Sequence, residues 1–97
     1  MRKASIKSSA KKTKSFKIVN NSGLHARAAA EFVKVAKQFP ADISVKKGDL
    51  SVNGKSILAV LMLGAEKGDT IEIEASGIKS TEVLKHLEEL IQAGFHE

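Results

Sequence analysis

Cysteine is absent from the 97 residues, and so are tryptophan and tyrosine. Without cysteine the chain has no disulfide framework, no thiolate nucleophile and no sulfur ligand for a metal. The three histidines, His25, His86 and His96, lack carboxylates at metal-ligand spacing, so no metal site and no cofactor are expected. No stretch approaches the roughly 18 consecutive apolar residues that span a membrane, and residues 1–15 lack the apolar centre of a secretory signal. Those residues share the Ser, Lys and Arg content of organellar transit peptides but show no amphipathic pattern, and a cytoplasmic protein is expected. Of the four phenylalanines only Phe16 lies on an expected strand, which leaves a sheet no platform for stacking RNA bases.

A chain of this length fits one domain, burying roughly two thirds of its unfolded surface, with room for a single site. Its formal charge of +5 is unevenly placed. Arg2, Lys3, Lys7, Lys11, Lys12 and Lys14 all fall in residues 1–15, whereas all 11 acidic residues lie beyond, among the other basic ones. Residues 1–15 hold one large apolar side chain, Ile6, too little to offset the entropy of ordering, and read as a disordered basic arm. Residues 16–97 form the expected domain. Near neutrality there argues against a ferredoxin-like nucleic-acid or ligand-binding module, the distant alternative for a small chain with this mix of strands and helices.

Phe16 and Ile18 alternate with Lys17, so a short strand ends near Val19, before the turn cluster Asn20 to Gly23. Ala29, Phe32, Val33 and Ala36 recur on one helical face, and Pro40 fits a stop. DISVKK and LSVNG form a hairpin around Gly48 and Asp49, with Ile43, Val45, Leu50 and Val52 in alternation. SILAVLML is apolar nearly all round, and its Leu58, Ala59 and Met62 favour helix. After a turn bracketed by Gly64 and Gly68, TIEIEA gives a strand with Ile71 and Ile73 inward. Ser80 or Thr81 caps a last helix carrying Val83, Leu84, Leu87, Leu90 and Ile91, with Gly94 as its stop. The order is βαββαβα, an α+β arrangement with one wet sheet face and helices on the other. His86 reads as an exposed or border residue and His96 as part of a tail.

His25 is the unusual residue. Ser, Thr, Asp and Asn are the preferred N-caps, because a short oxygen-bearing side chain accepts from the first-turn amides. If the helix starts at Ala26, an imidazole occupies the cap; if Asn21 or Ser22 is the cap, His25 is an ordinary partly exposed side chain. An imidazole at the cap, with Arg27 two residues on, suits anion handling: free amides, helix dipole and guanidinium converge on phosphate oxygens. The same field disfavours imidazolium, so the ring is expected to be neutral and nucleophilic at pH 7. No adjacent carboxylate orients a base, which favours a residue that accepts a group and passes it on over an enzyme with turnover of its own.

GLHARAAAEFV resembles the active-site signature of the HPr family, the histidine-containing phosphocarriers of the bacterial phosphotransferase system. NGKSILAVLMLGAEKGDTIEIEASG resembles that family's regulatory-serine helix and the turn and strand after it. The resemblance spans residues 16 to about 94. It implies an HPr-like open-faced β-sandwich, a four-stranded antiparallel sheet covered on one face by three helices. It also implies that His25 takes a phosphoryl group on Nδ1 from enzyme I and gives it to A-domain enzyme II proteins in sugar transport, with Arg27 stabilising the phosphate. Ala28 stands where the family usually has proline, adding an N–H to the first turn and releasing φ.

Ser56 precedes an apolar helix and suits an N-cap; the resemblance adds phosphorylation by an HPr kinase/phosphorylase, with Lys55 a family-like neighbour. Val60 and Leu63 are expected in the core and Ile57, Leu58 and Leu61 in a partner patch. Lys34 and Lys37, on the solvent side of the first helix, match positions that meet acidic partners or else form a solvated face. The LMLG run and the AGF close are similar to the nitrogen-branch paralogue, which regulates other proteins. A monomer that binds neither nucleic acid nor membrane is expected.

Overall fold

The computed structural model describes residues 11–97. Strands β1 (Lys11–Lys17), β2 (Asp42–Lys47), β3 (Leu50–Asn53) and β4 (Thr70–Ser76) alternate with helices α1 (Ala26–Ala36), α2 (Ile57–Met62) and α3 (Ser80–Gln92). A 3-10 turn, Gly94–His96, follows α3. The sheet order is β1-β4-β2-β3 with every neighbouring pair antiparallel. Three helices pack on one face, giving the expected open-faced α+β sandwich. No helix among the described residues is long and apolar enough to cross a membrane.

Period-two alternation sorts the strand residues as expected on β2 and β4, where Ile43, Val45, Ile71 and Ile73 are buried. Between them and α1 and α3 lie Phe32, Val33, Leu87 and Ile91, four side chains brought inward by helical periodicity. Val60 and Leu63 of the α2 segment join this core as expected. On β3, the edge strand of the sheet, the pattern is weaker: Val52 is half-buried and Leu50 is exposed.

Three boundaries differ from expectation. The first strand begins at Lys11, so residues 11–15 of the expected disordered arm belong to the sheet; residues 1–10 lie outside the described residues. Only Phe16 is buried on β1. What holds it is the main-chain ladder from Lys11↔Ser76 to Lys17↔Thr70, which needs no apolar side chains. The pairs Lys11–Glu74 (3.3 Å) and Lys14–Glu88 (3.0 Å) add little, since such surface pairs contribute about 0–1 kcal/mol. The helix expected to stop at Pro40 ends at Ala36, with Lys37 as its C-cap. Neither Ser80 nor Thr81 caps α3: Lys79, in left-handed backbone (φ 67°), holds the cap position without a side-chain bond, and Ser80 is buried.

The turn after α2 anchors the end of the molecule where the candidate site lies. Lys47 donates to the carbonyls of Leu63 (3.4 Å) and Gly64 (3.1 Å), closing the helix, and pairs with Asp69 (3.2 Å). The Asp69 carboxylate also accepts from the Glu66 N–H (2.8 Å). That amide bond first, then Lys47, holds the Asp69 carboxyl below its ordinary value of 3.8. A depressed pKa contributes stability above the unfolded value and loses it as pH falls through the folded one. Asp69→Asn is therefore expected to lower the melting temperature at neutral pH and to reduce the fall in stability below about pH 4; thermal denaturation from pH 7 to 3 measures both.

Candidate functional site

The turn that leads into α1 is shaped by Asn20 and Gly23. The Gly23 N–H donates to the Asn20 carbonyl (3.1 Å), and the buried Asn20 amide returns a bond to the Gly23 carbonyl (2.8 Å). Gly23 has φ 64°, and a Cβ there would lie 2.5 Å from the Ala65 carbonyl oxygen, so only glycine fits. This close approach lets the Leu24 N–H donate to the same carbonyl (2.9 Å) and seats Leu24 in the core. The loop is thereby pinned to the segment after α2.

His25 follows, and it is the N-cap of α1. Its backbone is extended (φ −76°, ψ −176°), its carbonyl accepts the first helical bond from Ala29, and its Nδ1 accepts from the Ala28 N–H at 3.2 Å. Asn21 and Ser22 are thus excluded as the cap. Accepting that bond assigns a lone pair to Nδ1 and the proton to Nε2. The ring is half-buried, neither part of the core nor free in solvent. The Ala26 and Arg27 amides have no acceptor among the described residues and sit at the positive end of the helix. Arg27 is exposed and forms no ion pair among the described residues. An oxyanion joined to Nδ1 would meet these donors.

Ala28 has a direct role here. A proline at this position would have no N–H to give to Nδ1. The substitution that the sequence marks as a departure therefore supplies the one hydrogen bond the His25 ring accepts among the described residues.

Two residues without a local sequence signature complete the surroundings. Glu97 Oε1 accepts from Asn20 Nδ2 (2.6 Å) and, at 3.4 Å, from the Ser22 N–H; Oε2 accepts from the same N–H (3.2 Å) and from Ser22 Oγ (2.7 Å). The Asn20 bond first and the Ser22 bonds next hold the Glu97 carboxyl below its ordinary 4.5, against partial desolvation. Asn20, expected only as a turn residue, is buried, and its Oδ1 has no partner among the described residues.

Ser56 caps α2, its Oγ accepting from the Ala59 N–H (3.2 Å), and is half-buried. Leu58 is 74% exposed and Ile57 43%, as expected of a patch, whereas Leu61 is half-buried and packs against the core, one turn round the helix. Met62, four residues after Leu58 and on the same face, is 71% exposed and belongs to the patch in its place. Lys55 does not point outward: its ammonium donates to the Phe39 carbonyl (2.7 Å), tying α2 to the end of α1. Lys34 and Lys37 are exposed; seven residues separate Lys34 from Arg27, placing both on one solvent-facing stripe. His86 is exposed and stacks at 5.2 Å on Phe39, while His96 lies in the terminal 3-10 turn. Neither joins His25.

Residues 12–93 match the family model described as PTS HPr component phosphorylation site. Over 83 residues the chain is 45% identical to the phosphocarrier protein HPr of Neisseria meningitidis, covering 86% of this chain and 93% of that one. Over 81 residues it is 47% identical to the HPr of Pseudomonas aeruginosa, covering 82% and 90%. Among solved structures, HPr from Thermoanaerobacter tengcongensis superposes with a TM-score of 0.86 at 40% identity, covering 89% of this chain and 97% of that one. HPr from Bacillus anthracis gives 0.82 at 36%, covering 86% and 99%.

Proposed function

Since the chain belongs to the HPr family of phosphocarrier proteins of the phosphotransferase system, we propose that it is a relay in which His25 Nδ1 accepts a phosphoryl group from enzyme I and passes it to A-domain enzyme II proteins. The observation that carries this reading is the Nδ1 lone pair at the mouth of α1, held by the Ala28 amide. The proton is on Nε2, so Nδ1 attacks without first losing one. Its lone pair forms the N–P bond as the donor's bond to phosphorus breaks. The Ala28 N–H, losing its acceptor on the ring, turns to a phosphoryl oxygen beside the Ala26 and Arg27 amides, and the Arg27 guanidinium balances charge. Donation reverses each step. The ring's hydrogen-bond partner is a main-chain amide and not a carboxylate that would orient it as a base, which suits a carrier.

Ile57, Leu58 and Met62 form an apolar patch on α2 for these partners, with Lys34 and Lys37 meeting acidic surfaces. Ser56 is the regulatory position, modified by an HPr kinase/phosphorylase. Nearly two added negative charges at the start of α2 favour the helix and repel an acidic partner. The LMLG and AGF segments favour a second reading, the nitrogen branch, in which the same transfer controls other proteins.

Incubation with the enzyme I of either branch and labelled phosphoenolpyruvate is expected to place label on His25 and none on a His25→Ala chain; label on His86 or His96 overturns the assignment, and the faster enzyme I identifies the branch. Ala28→Pro removes a donor to the phosphoryl group and is expected to shorten the phosphohistidine lifetime roughly two- to tenfold, with unchanged hydrolysis kinetics counting against the role of that amide. Ser56→Asp is expected to keep the cap and the melting temperature within a few degrees while slowing transfer from enzyme I severalfold in a stopped-flow or quench assay.

A further inference from the structure

Strand β1 is the outer strand of the sheet: β4 takes one of its edges, and nothing among the described residues takes the other. The Ile18 N–H bonds inward to the Asp69 carbonyl (2.9 Å), and in an antiparallel ladder the direction of the main-chain groups alternates from residue to residue. Phe16, Lys14 and Lys12 therefore share their N–H and C=O groups with β4, whereas those of Lys17, Ser15, Thr13 and Lys11 face outward. Six of the seven residues of β1 are exposed, and four of the seven are lysines. Beside the Lys17 end of this edge runs a groove of about 270 Å³ whose apolar wall is Phe16, Ile91 and Val19, the last 46% exposed. Glu88, the acid that lines it, is paired with Lys14 (3.0 Å). Towards the other end Lys12 and Lys85 flank Leu84 in a second groove. Neither of these two lysines nor Lys17 forms an ion pair among the described residues.

We propose that the outer edge of β1 is a docking site for an extended acidic segment of another protein, added to the sheet as a fifth strand. Lysines on an edge strand repel a second strand of the same charge, which bars another copy of β1. Residues 1–10, with Arg2, Lys3 and Lys7 and no acid, are barred by the same repulsion. An acidic strand meets the opposite sign, and β1 already pairs with one. On its inner edge lies β4, TIEIEAS, whose Glu72 and Glu74 stand opposite Ser15 and Thr13, and Glu74 reaches Lys11 at 3.3 Å. A strand of the same alternation on the outer edge sets its acids towards Lys17 and Lys11, on the open face of the sheet, and its apolar side chains towards Phe16, Val19 and Ile91. An acid at its far end meets Lys12 and Lys85. The α2 patch lies against β3, at the opposite edge of the sheet, so docking on β1 leaves that patch free. Such a contact holds the carrier beside its partner and raises its local concentration without being used up in phosphoryl transfer. It stands whether or not His25 carries phosphate.

The test titrates the isotope-labelled full chain with two end-capped peptides, TIEIEAS and its basic counterpart TIKIKAS, and follows amide exchange by NMR. TIEIEAS is expected to slow exchange at Thr13, Ser15 and Lys17 and to leave Lys12, Lys14 and Phe16, already bonded to β4, unchanged; TIKIKAS is expected to do neither. Lys17→Glu is expected to weaken binding roughly two- to fivefold, with transfer from enzyme I unaltered, and added salt to weaken it further. Ser15→Pro deletes an outward N–H without touching the β4 ladder and is expected to abolish binding. With the protein left intact, N-methylation of one alternating set of peptide amides is expected to abolish binding and methylation of the other set to preserve it. Four results each overturn the proposal and leave the relay standing: equal binding of TIKIKAS; slowing that is absent or does not alternate along β1; outward amides protected in the peptide-free chain and released on dilution, the mark of a second copy; or a single-stranded oligonucleotide that shifts β1 where the acidic peptide does not.

Discussion

The approach of Gly23 to the Ala65 carbonyl is the constraint on which the site depends. That carbonyl receives the Leu24 N–H, and no side chain fits between the two segments. The contact fixes where α1 begins, and the start of α1 fixes which donors face the imidazole. A residue shift of one would place Leu24 or Ala26 at the cap and send the ring elsewhere. The platform is itself braced: Lys47 closes α2 and pairs with Asp69, and Asp69 holds the Glu66 amide next to Ala65. A β-hairpin side chain thus steadies a helix cap through the turn after α2.

Ala28 shows how a family scaffold is retuned by one main-chain hydrogen. The bond from its amide lowers the energy of the resting ring. In the proposed relay the same amide would serve the loaded form, so the net effect would be a difference between two hydrogen bonds of about 1 kcal/mol each. Adjustments of that size alter the lifetime of a carrier without abolishing transfer.

Much of this was legible in the sequence. The alternation Ile71, Ile73 against Glu72, Glu74, and the helical stripes of Phe32 with Val33 and of Leu87 with Ile91, follow from burial on one face, a signal carried by neighbours in the chain. His25 was conspicuous because imidazole is a poor cap, but the sequence left Asn21 and Ser22 as rivals, and the bond from the Ala28 amide decides between them. β1 from Lys11 to Ser15 was not, since it is held by hydrogen bonds of the backbone, to which side-chain hydropathy is blind. Lys55 stood out only as a family-like, partner-facing neighbour of Ser56, because nothing local reveals that its ammonium reaches Phe39. Glu97 had no signal at all: its partners Asn20 and Ser22 lie at the far end of the domain sequence, and only the tertiary fold brings them together.

The strand order β1-β4-β2-β3 has a consequence for how the protein matures during synthesis. Lys17 pairs with Thr70, so the first strand waits for the fourth, and the hairpin β2–β3 is the only part of the sheet that closes early. Such long-range closure slows folding. The cap at His25, though near the start of the chain, lacks its bracing contact until Ala65 has emerged from the ribosome.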